Sequence, residues 1–428
     1  MTQVTRTELA PGVSLTAVRT NKFKSAVLSV SLLTPLKKET ASANALVPYV
    51  LRRGTQVKPD MNTLSATLDE LYGGTVEPQA RKKGETQCVG FVSSFLDDAY
   101  TLNGEAILEP AAALLGELLL RPYTTVDGAF CPDYTAGEKA NLIDRIRAQI
   151  NEKRQYSIRR LSQIMCEGEA YGVSALGDEE SAAGLTPESL WSAYQDLLKH
   201  ARVELYYCGS ADRERVETAL REAFKGLPVN ENRVDLTCDV KAAPALPPKV
   251  EEEAMDVAQG KLAMGFRTGG VSVWDKDYPA LLVFNAAYGG TTTSKLFMNV
   301  REKLSLCYFA SSMLEKLKGV LLVSSGIEFD KYEQARDEIL AQLEACRKGE
   351  LEDWELVGAV RSIVSALQTT LDSQGRLEDY WLGQTAAGLT EGPEELAARV
   401  EEVTKEEVVA VANRVELDTI YFLKGKEG

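Results

Sequence analysis

Apolar positions along this 428-residue chain switch between a period of two and a period near 3.6. Val13 to Val18 and Ala26 to Leu33 are apolar or β-branched runs separated by the polar turn Arg19 to Ser25, which predicts strands across residues 4–34. Thr40 to Arg53 then reads as a helix ending at Gly54. Met61 to Tyr72, with Leu64, Leu68 and Leu71 on one face, reads as a second helix stopped by Gly73 and Gly74. Thr75 to Ala80 and Gln87 to Phe95 predict a hairpin around the turn Arg81 to Glu85. Helical periodicity dominates from there to His200, with Thr186-Pro187 as an N-cap and first-turn signal. Val203 to Cys208 reads as a buried strand and Asp212 to Phe224 as a helix.

The texture changes between Gly226 and Pro248, where prolines accumulate and periodicity is lost. Such a stretch favours an extended linker. The order of elements then starts again. Strands at about 250–257 and 261–268 are followed by a helix from Tyr278 to Tyr288 ending at Gly289 and Gly290. A further short helix comes next, then a hairpin over Leu306–Met313 and Val320–Ser325. Amphipathic helices follow, one carrying Ile339, Leu343 and Cys346 on one face and one opened by the capping box Thr404-x-x-Glu407. Asp418 to Leu423 predicts a terminal strand. Tyr72-Gly-Gly and Tyr288-Gly-Gly sit at comparable points of the two halves. The reading is an α+β protein of two similar halves with mostly antiparallel sheets: residues 1–225, a linker at 226–249, and residues 250–428.

Composition narrows the function. The net charge is −15, which argues against a phosphate backbone as partner and against anionic membrane surfaces. No apolar run approaches the ~20 residues of a membrane span, and the first residues lack a signal-peptide pattern. Seven cysteines, with no C-x-x-C pair, fit reduced thiols in a cytoplasmic protein. A thiol enzyme would need a base beside its cysteine. The one histidine, His200, falls at a helix end where a cation suits the dipole.

The block from Gly289 to Tyr308 carries the most information. Gly289 and Gly290 allow positive φ and close backbone approach. Leu296, Phe297 and Val300 share a helical face, Arg301 closes the helix, and Tyr308 enters a strand seven residues later. With its Ser-Lys-Leu-Phe and Val-Arg-Glu-Lys text, this segment resembles the C-terminal half of pitrilysin-type peptidases. That resemblance implies a clam-shell of two homologous halves in which Arg301 and Tyr308, with the Gly289–Gly290 turn, hold a peptide substrate. Read from the residues alone, Arg301 pairs with Glu302 or another helix-end acid, Tyr308 is core, and the glycines form a helix cap.

The family is an inverzincin group, with H-x-x-E-H on an N-terminal helix and a downstream Glu as third zinc ligand. Two imidazoles cannot come from one histidine. Aligned on Gly54-Thr55, the first ligand position is Ala45, the general base Pro48 and the second ligand Tyr49; the downstream ligand falls at Arg145, with Glu138 matching a family Glu seven residues earlier. A cationic Arg at a ligand position would repel Zn²⁺. The expectation is therefore no metal and no catalytic residue in this chain, with Ala45, Pro48, Tyr49 and Arg145 as degenerate positions.

The resemblance implies a short bacterial pseudoenzyme, similar to Firmicutes-type pseudo-peptidases associated with elongation factor P modification. It would be the cytoplasmic, non-catalytic subunit of a heterodimer whose active H-x-x-E-H paralogue carries the zinc. An extended peptide would add a strand to a sheet edge in the shared chamber. The alternatives are a stand-alone scaffold of the same fold and an enzyme of unrelated chemistry in the same chamber. Whether the isolated chain forms a homodimer is open.

Overall fold

In the computed structural model, which describes residues 3–126 and 128–426, the strand-forming runs assemble into two sheets. The first contains β1 (Gln3–Ala10), β2 (Val13–Arg19), β3 (Ser25–Pro35), β4 (Thr75–Lys83), β5 (Thr86–Leu96) and β6 (Arg202–Gly209), ordered β1-β2-β6-β3-β5-β4. The second contains β7 (Lys249–Met255), β8 (Gly260–Arg267), β9 (Cys307–Glu315), β10 (Val320–Ile327) and β11 (Glu416–Gly425), ordered β7-β11-β8-β10-β9. Leaving β1 aside, the two orders coincide strand for strand. In each, the first strand of that order pairs in parallel with the strand of its sheet that comes last in sequence, β2 with β6 and β7 with β11, and the other pairs are antiparallel. The expected α+β repeat of two homologous, mostly antiparallel halves is the observed architecture.

The repeat extends to the helices. Lys38–Leu51 and Met61–Glu70 lie between β3 and β4; Tyr278–Asn285, prolonged by a π-helical turn at Ala286–Gly290, and a π-helix at Leu296–Lys303 lie between β8 and β9. Tyr72-Gly-Gly therefore follows the second helix of its half, whereas Tyr288-Gly-Gly ends the first. Their expected equivalence is corrected: the triplets match in composition but close different helices. The residues that do correspond are Tyr72 (φ 59°) and Ser305 (φ 49°), each the turn between second helix and edge strand.

Strand alternation gives each sheet two faces. In the first sheet Leu28, Val30 and Leu32 of β3 and Val203, Leu205 and Tyr207 of β6 join a core with helices Lys38–Leu51, Leu108–Leu120, Pro187–His200 and Arg213–Ala223. Thr186 caps Pro187–His200 as its sequence suggests. The opposite face is largely polar, presenting Thr16, Ser29, Ser31, Glu204, Tyr206 and Cys208. It receives the helix Gln374–Ala387. Glu378 accepts two hydrogen bonds from Arg81 at 2.7 and 2.8 Å and one from Ser29 at 3.1 Å; Gln374 donates to the carbonyls of Ser25 and Cys208 at 2.9 and 3.1 Å.

In the second sheet Leu262, Met264, Phe266, Leu321 and Val323 face the helical core. Ala263, Val320, Leu322, Tyr421 and Leu423 form an apolar opposite face against Ile158, Leu161 and Met165 of the helix Lys153–Met165. Beyond that helix, Glu169 is buried between Arg267 (2.7 Å) and Lys318 (2.6 Å), and Arg267 also reaches Asp418 at 3.2 Å. The chain thus packs as two discontinuous units: Met1–Arg147, Val173–Thr237 and Asp372–Thr390; and Ala148–Gly172, Cys238–Leu371 and Glu391–Gly428. Each takes one sheet-covering helix from the other half of the sequence. No helix among the described residues is long and apolar enough to cross a membrane.

Candidate functional site

Arg301 lies near the end of the π-helix Leu296–Lys303, where the backbone N–H of Leu304 reaches the Asn299 carbonyl five residues back at 3.1 Å. Leu296 and Val300 are fully buried and fix one face of that turn. Its start is held from inside. Lys295 is buried and sits 3.2 Å from both carboxylate oxygens of Glu355, whose Oε2 also accepts from the Glu352 backbone N–H at 2.8 Å. Asn299 donates to Gln342 at 3.0 Å. Pairing removes the penalty that an isolated buried charge would carry, so the segment is braced at both its first and second turns. π-helical turns place side chains off the ordinary helical lattice and recur at functional sites.

The Arg301 guanidinium stacks over Phe297, 4.6 Å from its centroid, and reaches Glu302 at 3.5 Å with both side chains about half exposed. The helix-end pairing read from the residues alone is therefore present. An exposed pair of this kind contributes about 0–1 kcal/mol, which leaves the guanidinium free to exchange partners.

Tyr308 is not core: it is 71% exposed, at the start of β9, which lies at the edge of its sheet beside β10. The register explains why. Phe309 opposes Gly326, but Ile327 opposes Cys307, so Tyr308 is the extra residue of a β-bulge. Cys307 packs with Ile327 against the helical core, while Phe309 lies under the Arg154 guanidinium (4.2 Å) on the other face. The bulge turns Tyr308 out between them, the re-aiming that such bulges provide at sheet edges. Burial raises the Cys307 thiol pKa; a Ser325 hydrogen bond and the positive charge of Arg301 act the other way.

Gly289 is buried and does not have positive φ; neither does Gly290. The expected left-handed turn is corrected to π-helix. The close approach is real at Gly289, where a Cβ would meet Ser312 Oγ at 2.6 Å and Ser312 N at 2.8 Å. Its absence lets the helix end lie against β9. Gly290 is exposed.

The degenerate positions sit in the first half. Ala45 is fully buried in the helix Lys38–Leu51, and Pro48 lies within the same helix. Tyr49 follows, with the Arg145 guanidinium 3.6 Å from its ring centroid. Arg145 also approaches Glu138 at 3.8 Å, and Glu138 is bonded by Arg53 at 3.3 Å and Asn141 at 3.2 Å. So Tyr49 of one helix meets Arg145 and Glu138 of another, about 90 residues on in sequence, at one spot of the first unit. These groups do not fit zinc: a methyl, a proline ring, a phenol under a guanidinium and a carboxylate already paired with two arginines offer no open donor set. Among the described residues no group of three or more His, Cys, Asp and Glu is arranged to hold a metal ion. His200 ends its helix 3.6 Å from Asp196, remote in role from any such set.

Sequence reasoning missed the bulge, the π-helices and the Lys295–Glu355 pair. Only the pair left a trace, as an isolated Lys inside an otherwise small and apolar run.

A model of the family described as "Peptidase M16 inactive domain" matches residues 184–363. The chain is 37% identical over 97% of its length, and 97% of the relative's, to "Probable inactive metalloprotease YmfF" of Bacillus subtilis. A conserved protein of Enterococcus faecalis has a solved structure that matches with a TM-score of 0.88 at 28% identity, covering 99% of each chain. A peptidase M16 inactive domain from Pseudomonas fluorescens matches with a TM-score of 0.80 at 17% identity, covering 99% and 98%.

Proposed function

Because this chain belongs to the M16 peptidase family, as a homologue of its inactive metalloproteases, we propose that it is the peptide-holding subunit of a two-chain peptidase. The partner is an active H-x-x-E-H paralogue, which supplies the zinc, its water and the general base. This chain supplies Arg301 and Tyr308, and takes no part in breaking the bond. Ala45, Pro48, Tyr49 and Arg145 are, on this reading, the vacated ligand and base positions.

One observation carries the reading. Tyr308 is held out into solvent by a bulge at the start of an edge strand, directly after the braced helix that carries Arg301. A large side chain with an apolar ring and a hydroxyl has no packing reason to be so exposed. It suits a ligand: the ring covers apolar surface and the hydroxyl donates to a backbone carbonyl. Arg301 adds a planar charged donor for the same backbone. An extended peptide gains its remaining hydrogen bonds by adding to a sheet edge.

The Arg301–Glu302 pair favours the rival reading, a scaffold in which both residues are relics. Affinity capture of the tagged full chain from its native extract separates the two. The peptidase reading expects an H-x-x-E-H chain in near-stoichiometric amount and cleavage of an unstructured peptide that a chelator abolishes. A chain captured alone, with no chelator-sensitive cleavage, overturns it.

A further inference from the structure

The two helices that cover the outer sheet faces are held differently. Lys153–Met165 seats on an apolar surface. Gln374–Ala387 seats on a mixed face: Leu382 and Ala386 pack on Leu33 and Cys88, but around them lie serines, Thr16, Tyr206 and Glu204, and among the described residues its buried Trp381 Nε1, Gln384 Oε1 and Thr385 Oγ1 have no hydrogen-bond partner. Buried polar atoms left unpaired weaken an interface.

Glu204 is the titratable group in this seat. Its side chain is almost fully buried on β6, beside a cavity of about 370 Å³ whose lining includes Ser14, Leu33, Thr385 and Gly388. Thr16 donates to it at 2.6 Å and Arg6 approaches at 3.5 Å. From the surrounding elements it is faced by Arg6 and Glu8 of β1, Ser14 and Thr16 of β2, Ser31 of β3, Thr385 of the helix, and Arg202, Glu231 and Arg233 along the cavity. Arg202 is committed to the Val234 carbonyl and Asp235, and Arg233 to the carbonyls of Pro11, Leu198, Ala201 and Pro228. Among the described residues Arg6 is thus the one cation at ion-pair distance. It is itself partly exposed, so it compensates the buried carboxylate poorly. Burial pushes the Glu204 carboxyl up to about 7, against the pull of Arg6 and the Thr16 hydroxyl.

We propose that the helix Gln374–Ala387 is a proton-controlled latch on the first sheet, seated while Glu204 is neutral and loosened when Glu204 ionises. An ionised carboxylate under the helix lacks hydration; lifting the helix restores it. Gly388, in the left-handed region at φ 68°, ends the helix and provides the pivot. The sign follows from linkage. A carboxyl whose seated-state pKa is raised contributes to seating at low pH, and that contribution is lost as pH rises through 7. Between pH 6 and pH 8 the seating equilibrium falls about tenfold.

Hydrogen exchange of the full-length chain tests this. Protection of amides in 374–387, corrected for intrinsic exchange at each pH, is expected to fall about tenfold from pH 6 to pH 8. Amides in 153–165 serve as the control and keep their protection. In Glu204→Gln the fall disappears. Arg6→Gln, at a partly exposed edge position, provides an independent variant and moves the midpoint to higher pH. Equal protection at both pH values in the natural chain overturns the latch, as does a fall that persists in Glu204→Gln or a midpoint that ignores Arg6→Gln.

Discussion

The Arg145 guanidinium lies 3.6 Å from the centroid of the Tyr49 ring. Both residues stand where a zinc ligand was expected from the family alignment, and the fold brings them face to face. A cation over an aromatic ring at a half-exposed site contributes about 0.5–1 kcal/mol. Arg145→Ala is expected to lower stability by about that much in urea titration. Ala45→His, which would restore a ligand at a fully buried position, is expected to cost about 1–3 kcal/mol through overpacking.

Gly289 and Gly383 predict opposite outcomes for the same substitution. Gly289→Ala forces a methyl against Ser312 of β9 and is expected to destabilise by about 1–3 kcal/mol. A Cβ at Gly383, within the helix Gln374–Ala387, meets nothing within 4 Å, so Gly383→Ala is expected to stabilise by about 0.5–1 kcal/mol. Denaturant midpoints of the two variants check both signs.

Glu169 predicts an acid limit. Burial alone would raise its pKa, but the hydrogen bonds and charges of Arg267 and Lys318 outweigh that and bring it down to about 2. A depressed carboxyl contributes stability that is complete above its ordinary value near 4.5 and is lost as pH falls toward 2. Glu169→Gln removes the carboxylate that Arg267 and Lys318 share, leaving Asp418 as the buried acid beside Arg267, and is expected to cost about 3–5 kcal/mol at pH 7. The deficit relative to the natural chain should shrink below pH 4, measured as urea midpoints across that range.

Much of this was legible in the chain. Strands such as Ala26 to Leu33 and helices such as Met61 to Tyr72 declare themselves by period, and the restart of that order after Pro248 revealed the repeat. What stayed hidden was relational. The residues of Lys153–Met165 and Gln374–Ala387 mark them as helices, but periodicity does not say which sheet a face will meet, so their exchange between units was unreadable. The π-helix at Leu296–Lys303 has apolar spacing that an α-helix would also satisfy. The Tyr308 bulge depends on the register of β10, which nothing in the residues of β9 specifies. Tyr49 and Arg145 could be paired only by analogy with a ligand set; their stacking is a property of the folded chain.

On the proposed function, Arg301 and Tyr308 hold the peptide for a zinc-bearing partner. The most direct measurement is kcat/KM for an unstructured peptide, using the complex reconstituted from the captured partner and Arg301→Ala or Tyr308→Phe. Loss of a charged hydrogen bond of about 1.5–3 kcal/mol predicts a drop of roughly ten- to a hundredfold for Arg301→Ala. A smaller drop is expected for Tyr308→Phe, which removes one hydroxyl, and the complex should stay intact in both. Unchanged kcat/KM for Arg301→Ala in an intact complex would show that Arg301 does not hold the peptide.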